Sequence, residues 1–280
     1  MKIQVPGTTA NLGPGFDALG LALTCYSYLE VKPAGEKEAF SKKNLIYKSF
    51  DYFFQSFDEP TPNVIMELRG DIPSSRGLGS SAACIVGGLT VANLISGKGL
   101  SKENLLEMAT KIEGHPDNVA PCIYGGLISS TEEQGRILTA SFEVHPDWKF
   151  YTAIPDFELS TQDARKVLPK KISFKDGVFN ISRIPLLLKA LEIGDLELLR
   201  AGTVDALVQP YRGSLIDGYE KIKGFGQKYG AATISGAGPT ILIITKEDLD
   251  MDEWNNFTVD FNHSWELKRY EVDREGTKLI

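Results

Sequence analysis

The stretch Pro73-Ser-Ser-Arg-Gly-Leu-Gly-Ser-Ser-Ala-Ala83 has the composition of an anion cradle. Gly77 and Gly79 let the backbone turn tightly, with no Cβ to block an approaching oxyanion. A run of small and apolar residues from Ser80 to Ile95 follows, and it reads as a buried helix. Its first N–H groups and the positive end of its dipole would point back at the loop. Ser80 and Ser81 add hydroxyls, one of which could ligate Mg²⁺. The stretch is not a Walker A loop, because G-x-x-x-x-G-K-[ST] is absent. A plain strand-to-helix turn is the competing reading of the same residues.

Further stretches carry polar groups at suggestive spacing. Glu113-Gly-His-Pro-Asp-Asn-Val-Ala-Pro121 packs His115, Asp117 and Asn118 close together, and a helix starting near Pro116 would aim them one way. Such groups among small apolar neighbours are costly unless they face a ligand; a lone structural histidine is the plainer alternative. In Asn11-Leu-Gly-Pro-Gly-Phe-Asp17, Asn11 and Asp17 could accept from an ammonium group, or the loop could simply close on an Asx turn. Ile234-Ser-Gly-Ala-Gly-Pro239 sets Gly236 and Gly238 between strand-like segments, either as ligand-binding backbone or as a tight hairpin. Glu107 is a candidate hard-oxygen ligand or part of a solvated face. Thr161 and Arg165 share a helix face, and Arg212 precedes Gly213 in an interhelical turn. Arginines so placed are surface residues by default; in a site they bind a carboxylate or steady phosphoryl charge.

The elements that must position these groups alternate along the chain. Strands are expected over 2–6, 21–31, 64–68, 150–154, 231–235, 240–245 and 265–272. A glycine-rich loop is expected over 7–20 and a hairpin over 126–143. Helices are expected over 45–57, 80–95 and from the Ser101 N-cap to about 112. Others should start near Pro116, at the Ser160-Thr-Gln-Asp163 capping box, and over 184–193, 196–208 and 214–229. The pattern resets near His145 to Asp147, which suggests a soft boundary and two domains of mixed helix and strand.

The chain has 280 residues, a net charge of −7, 42% hydrophobic and 24% charged residues. That suits a globular protein with a sizeable core. The acidic balance and the lack of a basic stripe argue against nucleic acid. Cys25, Cys84 and Cys122 form no C-x-x-C pair, so they read as reduced thiols of a cytoplasmic protein. No apolar run is long enough to span a membrane, and the N-terminus lacks a signal-peptide core.

Three motifs in order, Val5-Pro-Gly-Thr-Thr-Ala-Asn-Leu-Gly13, Arg76-Gly-Leu-Gly-Ser-Ser-Ala-Ala83 and Ser235-Gly-Ala-Gly-Pro239, resemble those of the galactokinase, homoserine kinase, mevalonate kinase and phosphomevalonate kinase superfamily. They span almost the whole chain. Thr9-Ala-Asn-Leu-Gly-Pro-Gly-Phe-Asp17 and His115-Pro-Asp-Asn-Val-Ala-Pro121 look like its homoserine kinase branch. Thr8 stands where the mevalonate-type kinases tend to carry lysine.

The resemblance implies an α+β fold of two domains. Residues 1–145 would hold a left-handed βαβ unit and the ATP site; residues 146–280 would be ferredoxin-like. It implies ATP-dependent phosphorylation of the L-homoserine hydroxyl, with Mg²⁺. ATP would lie on Pro73, Ser74, Ser75, Arg76, Gly77, Leu78, Gly79, Ser80, Ser81, Ala82 and Ala83. Ser81 and Glu107 would hold the metal. Asn11, Asp17, His115, Asn118, Arg165 and Arg212 would line the amino-acid pocket, closed by Gly236 and Gly238. Asn118 would orient the hydroxyl, Arg165 would steady developing charge, and Asp117 is the candidate for taking the proton. A homodimer is also implied. The rival readings are another small-alcohol kinase, a non-catalytic nucleotide sensor, and an RNA-binding module that the acidic charge disfavours.

Overall fold

A 15-residue strand, β2 (Leu19–Pro33), is the spine of the first half of the molecule. The computed structural model describes residues 1–34 and 44–280. One edge of β2 pairs with β1 (Lys2–Ala10); the other pairs first with β4 (Leu127–Glu133) and further along with β3 (Val64–Gly70). β5 (Arg136–Phe142) closes the hairpin with β4. Four helices cover this sheet: α1 (Leu45–Gln55), α2 (Ser80–Ser96), α3 (Lys102–Glu113) and α4 (Pro116–Tyr124). α2 is buried along much of its length, as its small apolar sequence requires. Ser101 caps α3 by accepting from the Asn104 N–H, and Gly114 ends it in the left-handed conformation that glycine adopts freely.

The second half is built on β6 (Lys149–Pro155), β7 (Gly230–Ile234), β8 (Ile241–Thr245) and β9 (Trp265–Tyr270), in the order β7-β8-β6-β9 with all neighbours antiparallel. Helices α5 (Thr161–Lys166), α6 (Phe174–Ile193), α7 (Leu196–Gly202), α8 (Gln209–Arg212) and α9 (Tyr219–Tyr229) connect β6 to β7; α10 (Met251–Thr258) connects β8 to β9. This β-α-β-β-α-β succession is ferredoxin-like. A core cluster containing Leu12, Leu21 and Leu23 from the first half and Trp148, Phe150, Leu187 and Leu242 from the second runs between the halves. The two halves therefore share a packed core. No helix among the described residues is long and apolar enough to cross a membrane.

Several expectations need correction. β1 runs on to Ala10, because its ladder with β2 resumes after a register shift between Pro6 and Gly7. α6 starts at Phe174 rather than 184, capped by Ser173, and it carries Pro185 inside it. The helix expected over 214–229 starts only at Tyr219, after a left-handed Gly218. The one expected over 196–208 ends at Gly202. α10 was not foreseen. Nor was β10 (Lys278–Leu279), which pairs with β1 and so carries residues of the second half into the first sheet.

Candidate functional site

A cavity of about 410 Å³ is bounded by loops from both halves. Ser74, Ser75, Arg76, Gly77, Gly79, Ser80 and Ser81 form one part of its lining, where α2 begins. Gly79 precedes the helix with φ of 71°. A Cβ there would lie 2.0 Å from Thr8 Oγ1, and one on Gly77 would lie 2.3 Å from the Ser235 carbonyl. The loop is thus wedged between β1 and the 235–239 turn, and only glycine fits both positions. Four residues expected at the nucleotide, Pro73, Leu78, Ala82 and Ala83, do not line the cavity. Leu78 is fully buried in the core, as are Ala82 and Ala83, because the helix must bury one face as it presents its end. The Arg76 guanidinium donates to the carbonyls of Pro155 and Asp156 and meets Glu158 at 3.2 Å, so it ties the loop to the end of β6.

The polar part of the cavity draws on distant segments. Asn11 and Asp17 come from the loop after β1, His115, Asp117 and Asn118 from the start of α4, Arg165 from α5 and Arg212 from α8. Gly236 and Gly238 complete the wall. Arg165 donates from both terminal nitrogens to Asp17, at 2.8 and 3.0 Å. Asn11 Nδ2 donates to the Gly236 carbonyl at 2.7 Å, and its Oδ1 accepts from the Asp17 N–H. Arg212 is buried, donating to the carbonyls of Ala164 and Gly236. The Phe16 ring lies within 5.3 Å of the Arg165 guanidinium and 5.0 Å of that of Arg212. Two cations are thereby held near each other by carbonyls, a carboxylate and a ring face.

Glu107 is not part of this cavity. Glu113 is, and its carboxylate accepts from Ser81 Oγ at 2.6 Å. Both glutamates lie on α3, but their separation places them roughly 120° apart around the helix axis, so only one can face Ser81. The usable signal was position: Glu113 is the last residue of α3, beside the turn that carries His115. Cys84, Leu45, Leu159, Ser160, Thr161 and Ala237 also line the cavity, unassigned from sequence. Their types carry no mark of a site, apart from the helix face that Thr161 shares with Arg165.

The profile for the GHMP kinases N terminal domain matches residues 44–126, and that for the GHMP kinases C terminal domain matches residues 187–253. A homoserine kinase from Clostridium beijerinckii is 42% identical over 100% of this chain and 98% of its own. The chain belongs to the GHMP kinases. Another relative, a homoserine kinase from Caldicellulosiruptor saccharolyticus, is 39% identical over 100% of this chain and 96% of its own. Among solved GHMP kinase structures, a homoserine kinase from Cytophaga hutchinsonii superposes with a TM-score of 0.85 at 25% identity, covering 100% of this chain and 97% of that one. A putative homoserine kinase from Listeria monocytogenes gives 0.78 at 30% identity, covering 99% and 98%. Membership of the GHMP kinases brings ATP as co-substrate.

The electrostatics of this GHMP kinase site follow from its burial. Desolvation pushes the Glu113 carboxyl above its ordinary range, against the pull of the Ser81 hydroxyl and the charge of His115. Burial alone would lower His115, but its hydrogen bond to Asp117 and that group's charge outweigh burial and raise it. The hydrogen bonds to Asp17 raise Arg165. Desolvation, and then the nearby charge of Arg165, bring Arg212 down to about 10. Arg212, held beside a second cation and out of water, gains from any anionic group that enters the cavity.

Proposed function

We propose that the protein catalyses ATP-dependent phosphorylation of the L-homoserine hydroxyl, giving O-phospho-L-homoserine and ADP. The observation that carries this reading is the sharing of one cavity by the glycine loop, Asn118, and the Asp17–Arg165–Arg212 group. A zwitterionic amino acid would exchange the internal Asp17–Arg165 pair for two ligand pairs, its ammonium on Asp17 and its carboxylate on the arginines. The amides at the start of α2 and the glycine loop would receive the triphosphate. Ser81 and Glu113 suit Mg²⁺, which takes hard oxygens and is content with one or two protein ligands beside phosphate and water. Bound there, Mg²⁺ would neutralise phosphate charge.

The chain's own residues then align the reactants, and in-line transfer depends mainly on that alignment. The homoserine oxygen forms a bond to the γ-phosphorus as the bond from that phosphorus to the bridging β–γ oxygen breaks, and ADP leaves. Asn118 orients the hydroxyl, Asp117 offers a carboxylate for its proton, and Arg165 steadies the charge. Division into residues 1–145 and 146–280, a homodimer and a cytoplasmic setting belong to the same proposal. A coupled ADP-release assay tests it with L-homoserine, L-serine, L-threonine and mevalonate. Turnover is expected on homoserine; activity on mevalonate with none on homoserine would reject the reading.

A further inference from the structure

We infer that Thr8 is a positioning residue for the phosphoryl acceptor: its hydroxyl fixes the Asn118 amide so that N–H, not C=O, faces the substrate hydroxyl. The inference rests on the function proposed above and goes on to say what holds its central amide in place.

Thr8 lies on β1, is fully buried, and does not line the cavity. Its Oγ1 donates to Asn118 Oδ1 at 2.8 Å. An asparagine amide has one accepting oxygen and two donating N–H groups. Here Asn118 Nδ2 donates to Asp117 Oδ1 at 3.4 Å, while Asp117 also holds the His115 ring. An ionised carboxylate can only accept, so the amide must turn its nitrogen to Asp117. Its oxygen then faces Thr8. A threonine hydroxyl can donate or accept, and in this arrangement it must donate. The amide oxygen is thereby occupied, and what Asn118 has left for a ligand is an N–H. A substrate oxygen that accepts from it keeps its own proton turned away from the amide.

Thr8 touches the nucleotide side as well. Its backbone N–H donates to the Leu78 carbonyl at 3.2 Å, and Gly79 packs against Oγ1 so closely that a Cβ would lie 2.0 Å from it. One buried side chain therefore keeps the acceptor amide in register with the glycine loop. The next residue, Thr9, has its hydroxyl accepting from Ser235 Oγ instead, so the two adjacent threonines serve different partners.

Thr8→Val keeps the branched shape and deletes the hydroxyl. The amide oxygen is left buried without a donor and is relieved only if the side chain rotates, which carries the N–H off the site. We expect kcat with homoserine to fall by about tenfold to a hundredfold while the KM for ATP stays within about twofold. Thr8→Ser restores the hydroxyl and should return kcat to within about threefold of wild type. In an Asn118→Ala background, Thr8→Val should change kcat by less than about twofold, since the two residues act as one unit.

Calorimetry gives a second readout. Wild type should bind L-homoserine more tightly than L-2-aminobutyrate, which lacks the hydroxyl, and Thr8→Val should bring that ratio towards one. If valine disturbs folding, as a melting curve would reveal, Thr8→Ala deletes the same hydroxyl with less bulk against Gly79. Wild-type kcat in Thr8→Val, a loss that serine does not restore, or an undiminished effect in the Asn118→Ala background would each overturn the inference. Wild type inert towards homoserine would instead overturn the proposed function.

Discussion

The two ends of the cavity are made in different ways. The end we assign to phosphate is lined by residues 74–77 and 79–81, which offer mostly backbone and hydroxyls, with Glu113 reaching Ser81 from α3. Its shape comes from glycines pressed against Thr8 and Ser235. The acceptor end is assembled from five segments, and it offers charged side chains already engaged with one another, such as Arg165 with Asp17 and His115 with Asp117. A phosphate presents the same geometry to every nucleotide enzyme, so a local loop suffices. An amino acid must be held at both ends with its hydroxyl aimed, and no short stretch can reach all three groups. Substitutions at the two ends should therefore fail in different kinetic constants.

The largest effect is expected at the phosphate end. Glu113→Ala removes the carboxylate that faces Ser81 and should lower Mg²⁺-dependent turnover by roughly 10³-fold, or about 4 kcal/mol. Glu107→Ala should stay within about twofold, since Glu107 lies outside the cavity. Magnesium titrations of both variants settle which glutamate serves the metal; the reverse ranking would return the role to Glu107.

At the acceptor end, Arg165→Ala should reduce kcat/KM for homoserine by roughly 10²-fold, about 3 kcal/mol, and leave the KM for ATP within about twofold. Arg165→Lys should recover little, because a point charge cannot reproduce the two-pronged contact with Asp17. A loss confined to ATP affinity would erase the distinction between the two ends.

An effect on stability rather than on kinetics tests how the glycine loop is held. Gly77 has φ of 74° and Gly97 has φ of 66°, but a Cβ on Gly77 meets the Ser235 carbonyl at 2.3 Å whereas Gly97 has nothing within 4 Å. Gly77→Ala should cost about 3 kcal/mol and Gly97→Ala only about 1 kcal/mol, from backbone strain alone. Thermal melts compare them directly. Equal costs would mean that the Ser235 carbonyl does not confine the loop.

This contrast also explains what the sequence made legible. The glycine loop and α2 could be read from adjacent residues, because backbone turn chemistry and helix dipole are local. The start of α6 could not: Phe174 is 90% exposed and Val178 and Ile181 also face solvent, so its apolar pattern does not point at the core. β10 was too short to show a period. Glu113 was passed over because helical spacing alone cannot tell which of two glutamates on α3 faces a loop elsewhere in the sequence. Arg165 and Asp17 were each legible as candidates, yet their pairing joins residues 148 apart and needs the tertiary fold. Thr8 lies within the first motif, yet nothing in its type shows that its hydroxyl meets Asn118.

The finest expected difference is in pH dependence, and its sign is opposite at the two ends. Glu113 is raised above its ordinary 4.5 by burial. The proposed metal role needs the carboxylate, so on that reading the acid limb of kcat/KM should lie higher than an exposed glutamate would set it. His115 is also raised, from 6.5, because Asp117 outweighs the opposing effect of burial. A raised histidine contributes stability that is fully present below the unfolded value of 6.5 and is lost as pH rises through the folded value. The acceptor end should therefore loosen on the alkaline side, where the His115–Asp117 contact loses its charge. His115→Gln keeps a donor for Asp117 and removes the titration. It should flatten the alkaline fall in thermal stability and in kcat/KM, and it should move the acid limb upward, because the charge of His115 no longer opposes the rise of Glu113. An unchanged alkaline limb in that variant would show that the two ends do not titrate separately.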